Sequence, residues 1–412
     1  MNAPLSSSEA LLRDADRCVM CGMCLPHCPT FQRTGSEAES PRGRIALAQA
    51  LARGQLQADD DLAAHLDHCL ACRACEAMCP SEVRYASILG ETRRLLAAQR
   101  GLDAAGRAAL GAVSNPAFLR AAVRLGASPA AALARPVSAL ARRLSALAQA
   151  RPHHRFHHPT ATASGTVRGR VGLFLGCTGE AVDGEALSAA VKVLTLLGFA
   201  VVIPGGQGCC GALHHARGDR AGFERRAQRN LAAFDMEALD AVVSVASGCT
   251  AMLAEYGQWL DAPGAADFSR KMREVTDFIV RQDLDALPVP APLPETVAVH
   301  VPCSQAHALR RPGVSAALLA RIPEVRIATL PDNRTCCGAA GVHMLQDPAL
   351  ADALREPKLD ALVASGARYL VTTNVGCALH LAAGAKARGL AVEVLHPVSL
   401  LARQLALATD SP

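Results

Sequence analysis

The chain has 412 residues, half of them apolar and 19% charged, with a net charge of +5, one Trp and three Tyr. That length accommodates two or three domains with a sizeable core, and the apolar share excludes a disordered chain. The scarcity of aromatic residues argues against a base-stacking surface for single-stranded nucleic acid, and no run approaches the ~18 apolar residues of a membrane-spanning helix. The opening residues, Met-Asn-Ala-Pro-Leu-Ser-Ser-Ser-Glu, carry no basic stretch before an apolar core. A cytoplasmic chain without a secretory leader is therefore expected. In that setting sixteen cysteines point to metal ligands or redox thiols rather than disulfides.

Residues 1–100 hold eight of those cysteines in two tight runs. The first is Cys18-x2-Cys21-x2-Cys24-x3-Cys28-Pro29 and the second Cys69-x2-Cys72-x2-Cys75-x3-Cys79-Pro80. Both match the bacterial ferredoxin pattern, including the closing proline. Three thiolates two residues apart cap three irons of a cubane, and the fourth iron is reached from elsewhere. In two-cluster ferredoxins the fourth cysteine of each run serves the other cluster. The spacing thus predicts two [4Fe–4S] clusters, one on Cys18, Cys21, Cys24 and Cys79, the other on Cys69, Cys72, Cys75 and Cys28. Zinc also suits paired C-x2-C spacings, but a third regularly spaced cysteine and a Cys-Pro ending favour the clusters. Between the runs the pattern turns helical from Arg42 onward, which predicts a mainly helical two-cluster domain. Arg42 and Arg44 either stabilise reduced, more anionic clusters or form a solvated helix start.

Residues 101–165 form an Arg/Ala-rich helical segment and linker, interrupted by Pro116, Gly126, Pro129 and Pro136. Over 101–170 there are ten arginines against Asp103 alone. Such a segment can meet an acidic subunit face or anionic lipid. His153, His154, His157 and His158 near its end read as polar linker rather than a chelating set.

From 166 to 412, β-branched runs at Val171–Leu175, Ala200–Ile203, Ala241–Val245, Val297–Val301, Val325–Leu330, Tyr369–Thr372 and Val392–Leu395 alternate with helical patterns such as Gly184–Leu197 and Pro348–Ala364. The alternation predicts α/β units with largely parallel strands, so the whole chain is α plus α/β. This part is duplicated. Cys177 precedes Cys209-Cys210-Gly211 by 32 residues, and Cys249 follows 39 after Cys210. Cys303 precedes Cys336-Cys337-Gly338 by 33, and Cys377 follows 40 after Cys337. Cys177, Cys249, Cys303 and Cys377 each come after a strand, where ligand sites of parallel sheets form, and near a helix start that stabilises thiolate; the adjacent cysteines with a following Gly suit a sharp turn presenting both sulfurs to one centre. Each set of four either binds a further metal cluster, acts as dithiols, or packs as reduced core cysteines. Gly206-Gln207-Gly208-Cys209-Cys210-Gly211 fits G-x-G-x-x-G, yet the second repeat keeps the cysteines and lacks the first two glycines. Nucleotide binding is therefore not expected. His300, His307, His343 and His380 lie near repeat cysteines, where they either tune or protonate a site or, as favoured, play structural roles.

These residues, with Ser40-Pro41-Arg42-Gly43-Arg44-Ile45, Ala246-Ser247-Gly248-Cys249, Val301-Pro302-Cys303, Cys336-Cys337-Gly338-Ala339-Ala340-Gly341 and Asn374-Val375-Gly376-Cys377-Ala378-Leu379-His380, resemble the iron–sulfur subunit of bacterial glycolate oxidase (glycolate dehydrogenase). The resemblance spans nearly the whole chain outside 101–165. It implies an electron-transfer subunit whose FAD lies on a partner dehydrogenase subunit that oxidises glycolate to glyoxylate. Electrons would pass toward a quinone or membrane acceptor in the respiratory chain, with the protein peripheral on the inner membrane. The same layout is similar to iron–sulfur subunits of lactate and glycerol-3-phosphate dehydrogenases and to heterodisulfide reductase subunits, which would make the CCG cysteines a thiol/disulfide centre. In that last family the repeats end in a further Cys-x2-Cys; here Cys249-Thr250-Ala251-Met252 and Cys377-Ala378-Leu379-His380 each stop at one cysteine.

Overall fold

The structure, a computed structural model, describes residues 7–101, 104–127, 139–151, 154, 156 and 166–409. The N-terminal part is helical. Ser7–Ala15, Pro41–Ala52, Asp60–Asp67 and Tyr85–Arg100 pack around Leu11, Ile45, Leu51, Leu66 and Ile88, and the two cysteine runs wrap their ends. The helix Pro41–Ala52 starts where the sequence demands it. Ser40 is its N-cap, accepting from Gly43 N at 2.9 Å, and Pro41 occupies the first turn, an arrangement that contributes about 1 kcal/mol. Gly43 is obligatory because a Cβ there would lie 1.9 Å from the Glu37 carbonyl oxygen.

Residues 166–409 fold as two parallel four-stranded sheets of the same order. The first runs β2-β1-β3-β4 and comprises β1 (Gly169–Phe174), β2 (Phe199–Val202), β3 (Ala241–Ser244) and β4 (Met272–Glu274). The second runs β6-β5-β7-β8 and comprises β5 (Thr296–Val299), β6 (Arg326–Thr329), β7 (Tyr369–Val371) and β8 (Glu393–Leu395). The α plus α/β class and the duplication read from the sequence hold. β4 is the strand that the sequence reading missed: three residues, Met-Arg-Glu, without a β-branched side chain. Alternation of side chains across the pleat sends Val171, Leu173, Val297 and Val299 into one shared core between the two halves. Phe174 and Ala298 face the opposite sides of their sheets.

The segment between the two parts docks on the repeats. Pro116–Ala127 packs against Cys177–Val182, and Ala139–Ala148 against Val375–Ala387. Arg151 is buried, donating to Asp183 Oδ1 at 3.0 Å and to the Val394 carbonyl at 2.8 Å. Pro129, Pro136, His153, His157 and His158 lie outside the described residues; His154 Nε2 sits 3.8 Å from Glu185 Oε2.

Candidate metal centres

Each ferredoxin-type run is a loop whose turns use left-handed residues at matching places. Met20 (φ 58°) and Gly22 (φ 83°) follow Cys18; Ala71 (φ 49°) and Arg73 (φ 62°) follow Cys69. Non-glycine residues rarely adopt this conformation, and it turns successive amides toward a common concavity. Cys18, Cys21 and Cys24 line one cavity together with Cys75 and Cys79. Cys69, Cys72 and Cys75 line a second together with Cys28. Pro41, Cys75 and Tyr85 belong to both walls, so a shared partition separates the two. All sixteen cysteines are free thiols. Neither a carboxylate nor a histidine lines the first cavity, and that soft, all-sulfur donor set fits an iron–sulfur cluster.

The surroundings supply positive charge and donors. The backbone N–H of Arg42, in the first turn of its helix, points to Cys24, whose thiol is otherwise pushed up by burial. The Arg42 side chain donates to the Met20 carbonyl at 2.9 Å and to Glu37 at 2.6 Å. Arg44 is 2% exposed and lines the second cavity. It pairs with Glu39 and donates to Thr30 Oγ1 at 3.0 Å and to the His65 carbonyl at 2.7 Å. Its electrostatic partners include Cys69 and Cys28. Neither arginine is a freely solvated helix start. Two hydroxyls near the sulfurs escaped the sequence reading: Tyr85 Oη lies 3.5 Å from Cys69 Sγ, and Thr30 Oγ1, which donates to the Glu39 carbonyl at 2.9 Å, lies 3.3 Å from Cys28 Sγ. Nothing in the spacing of the motif marks either.

The cavities differ in setting. Cys21 is exposed, and Val19, Met20 and Met23 form an exposed apolar rim around the first. The second faces inward. Cys72 interacts with Cys303, and Leu70 packs with Cys336 and Leu354. Arg73 joins Glu76 and Glu255, tying the second run to the first repeat. The helix Tyr85–Arg100 comes so close to the first repeat that a Cβ on Gly90 would lie 2.8 Å from His215 Nε2.

In each repeat the cysteines gather at the carboxyl ends of three adjacent strands, the edge strand that follows the first crossover and the two central ones. Cys177, Cys209 and Cys210, and Cys249 come after β1, β2 and β3; Cys303, Cys336 and Cys337, and Cys377 come after β5, β6 and β7. This is the switch point of a parallel sheet, where crossovers leave in opposite directions and open a crevice. An amide clamps each double-cysteine loop to the central strand. Gln207 accepts from Leu175 N at 2.8 Å and donates to the Leu173 carbonyl at 3.1 Å; Asn333 accepts from Val301 N at 2.8 Å and donates to the Val299 carbonyl at 2.7 Å. Gly211 (φ 81°) and Gly338 (φ 88°) then make the sharp turn. The G-x-G-x-x-G stretch is thus occupied by its own chain: Gly208 N already donates to Asn230 at 2.9 Å.

The sulfurs form matching chains, Cys177–Cys209–Cys210–Cys249 and Cys303–Cys336–Cys337–Cys377. Neighbouring thiols, acting as hydrogen-bond donors, draw Cys209 and Cys337 below the usual thiol range against the opposing effect of burial. The flanking Cys177, Cys210, Cys336 and Cys377 are driven up by the same contacts and by burial. Of the four histidines, His307 is held by the Arg334 carbonyl at 2.8 Å and His380 by the Ala351 carbonyl at 3.1 Å. His343 is buried near His68 and Arg93. His300 lies against Cys337.

Two family descriptions match this layout: a 4Fe-4S dicluster domain over residues 14–83, and a cysteine-rich domain over 171–254 and again over 297–382. The glycolate oxidase iron-sulfur subunit of Escherichia coli (strain K12) is 33% identical, with 93% of each chain covered. The chain belongs to the glycolate oxidase iron–sulfur subunit family. A probable glycolate oxidase iron-sulfur subunit of Bacillus subtilis (strain 168) is 31% identical over 93% of this chain and 92% of its own. Lactate utilization protein A of Macrococcus caseolyticus is 27% identical, covering 58% of this chain and 99% of its own. The protein is therefore an iron–sulfur, electron-transferring member of an oxidoreductase subunit family. Among the described residues no helix is long and apolar enough to cross a membrane.

Proposed function

We propose that this chain carries electrons from an FAD-containing dehydrogenase subunit, which oxidises a 2-hydroxy acid, glycolate to glyoxylate, toward a quinone or other respiratory acceptor at the membrane. The observation that carries the reading is the sorting of eight cysteines into two cavities across one partition. Cys18, Cys21, Cys24 and Cys79 would hold one [4Fe–4S] cluster and Cys69, Cys72, Cys75 and Cys28 the other. When bound, such clusters accept and release electrons singly, converting the two-electron chemistry of a flavin into one-electron steps.

The chain's own residues set the conditions for this. The Arg42 amide, Tyr85 hydroxyl and buried Arg44 direct donors and charge at the thiolates, which favours the more anionic reduced state. The shared wall of Pro41, Cys75 and Tyr85 keeps the two sites adjacent. The apolar rim of Val19, Met20 and Met23 around exposed Cys21 is where a flavin subunit would approach, since a docked apolar surface excludes water from the transfer path. The 31–33% relatives, matched nearly end to end, support glycolate over lactate; the lactate utilization relative covers only 58% of this chain.

Iron and acid-labile sulfide in anaerobically purified protein, with EPR after dithionite reduction, test the reading. About eight irons in two interacting [4Fe–4S]⁺ centres is the expected minimum. Zinc in place of iron would overturn it. Copurification with a flavoprotein that reduces the clusters on addition of glycolate, and not of lactate, tests the substrate.

A further inference from the structure

The two repeats differ at a position their shared plan makes easy to compare. Three residues before Cys177 stands Phe174; three residues before Cys303 stands His300. Phe174 is a core residue of its sheet. His300 is 1% exposed, and its Nδ1 lies 2.9 Å from Thr372 Oγ1. Nε2 has no hydrogen-bond partner, and in the tautomer whose Nδ1–H donates to that hydroxyl the free lone pair is on Nε2. Cys337 is the imidazole's nearest acidic neighbour and acts on it directly. The donor atoms of His300, Cys337 and Cys377 all lie within 4.8 Å of one another, the one such group of three among the described residues.

A buried imidazole with a free lone pair beside two thiols is poorly explained as packing, because an unmet buried polar atom costs about 1–3 kcal/mol. It is well explained as a ligand whose other nitrogen is held by an oriented partner, the usual support for a metal-binding histidine. Cys336 interacts with Cys337 and with Cys303 and so adds a third sulfur. Lys358, 4% exposed, donates to the Asp332 carbonyl at 3.2 Å and lies close enough to His300 and Cys377 to act on both electrostatically. Its ammonium offsets the negative charge of clustered thiolates. The site also has a neighbour. Cys303, at the other end of this sulfur chain, interacts with Cys72 of the second ferredoxin-type run, and Leu70 of that run packs on Cys336.

We propose that the second repeat holds an iron centre of mixed nitrogen and sulfur ligation, with His300 Nε2 and the thiolates of Cys336, Cys337 and Cys377 as ligands, fed by the cluster on Cys28, Cys69, Cys72 and Cys75. The ligand set stands on the repeat's own geometry; the source of its electrons rests on the two-cluster reading above. The transfer is a single electron: the [4Fe–4S]⁺ cluster returns to the 2+ state, one ferric iron of the centre becomes ferrous, and no bond is made or broken. The first repeat, with Phe174 in the equivalent place, offers no such nitrogen. The wire then runs from the exposed first cavity through the second to the second repeat, giving the duplicated domain one electron-accepting half.

The test is full-length protein purified anaerobically, with iron, sulfide and zinc measured, and pulsed EPR used to detect ¹⁴N coupling from an imidazole bound to a paramagnetic iron. Iron above eight per chain, with such coupling in wild type and none in His300→Phe, is the expected result, the ferredoxin-type EPR signals being unchanged. His300→Cys supplies a replacement ligand should the bulkier ring disturb folding; it is expected to keep the extra iron and lose the nitrogen coupling. Absence of ¹⁴N coupling in iron-replete wild type, its persistence in either variant, or zinc at this site would overturn the proposal. Failure of the two-cluster reading is distinguishable, because it removes the eight ferredoxin-type irons while leaving the nitrogen-coupled centre to be detected on its own.

Discussion

The hydroxyl of Tyr85 lies 3.5 Å from the sulfur of Cys69, and the same ring forms part of the wall between the two cysteine-lined cavities. Burial and the neighbouring Cys69 push the Tyr85 hydroxyl well above its ordinary range. It therefore stays protonated and donates. A donor to a cluster thiolate stabilises the extra electron and raises the midpoint potential.

Tyr85→Phe removes that donor and little else. One of the two ferredoxin-type centres is expected to become harder to reduce by roughly 20–60 mV, the equivalent of a net hydrogen bond of ~0.5–1.5 kcal/mol for a one-electron couple. Redox titration followed by EPR measures it. A potential that did not move, with iron content unchanged, would remove Tyr85 from the tuning role.

Arg44 and Glu39 form a buried pair, with side chains 2% and 5% exposed. Burial raises the Glu39 carboxyl, but His65 and Arg44 outweigh it and hold the group below its usual range. Arg44→Met leaves that carboxylate with only His65 and His68 beside it and is expected to cost about 3–5 kcal/mol, read as a fall in denaturation midpoint and in cluster retention. The double variant Arg44→Met, Glu39→Gln is expected to recover part of the loss, because no buried charge is then left unpaired.

Gly43→Ala drives a methyl group to 1.9 Å from the Glu37 carbonyl. Backbone cannot yield as a flexible side chain does, so the turn carrying Ser40 and the Arg42 amide must open. The expected result is a loss of more than 1–3 kcal/mol, the ordinary range for overpacking, accompanied by reduced iron in both centres. Normal iron loading in this variant would show that the helix start does not position the first run.

His215 sits between the helix Tyr85–Arg100 and Trp259, its ring 4.2 Å from the indole. Burial, with Arg93 and Arg220 nearby, lowers its pKa to about 4 from 6.5. The folded state holds it neutral while the unfolded chain protonates it near 6.5. Stability is therefore lost as pH falls from about 6.5 toward 4, where the folded form also takes the proton. Thermal midpoints measured anaerobically across that window are expected to fall more steeply for wild type than for His215→Phe. Equal slopes would place the acid sensitivity elsewhere.

Much of this protein is written locally. The ferredoxin-type runs are legible because loop cysteines at fixed spacing must converge, whatever the rest of the chain does. The parallel sheets are legible because β-branched runs alternate with helix-forming stretches, and the duplication because two cysteine intervals repeat to within one residue. β4 was not legible, since its three residues carry no strand signal and pair only because β3 offers an edge. The roles of Arg42 and Arg44 were open in the sequence, and packing decided them: one arginine pins a cysteine loop, the other is fully enclosed. Tyr85 and Thr30 were invisible, because a hydrogen bond to a sulfur depends on where a folded helix delivers a side chain.

The repeats divide the same way. Their alignment, residue by residue, already sets Phe174 opposite His300, a difference in identity that the sequence alone determines. That His300 meets Cys337 and Cys377, and that Cys72 meets Cys303, are matters of tertiary structure. Both bring together groups tens to hundreds of residues apart, and such contacts are set by how strands order in a sheet and how the helical part docks on it. Local spacing selects the chemistry a segment can perform; burial and apposition, which only the assembled core imposes, decide which of those segments face one another.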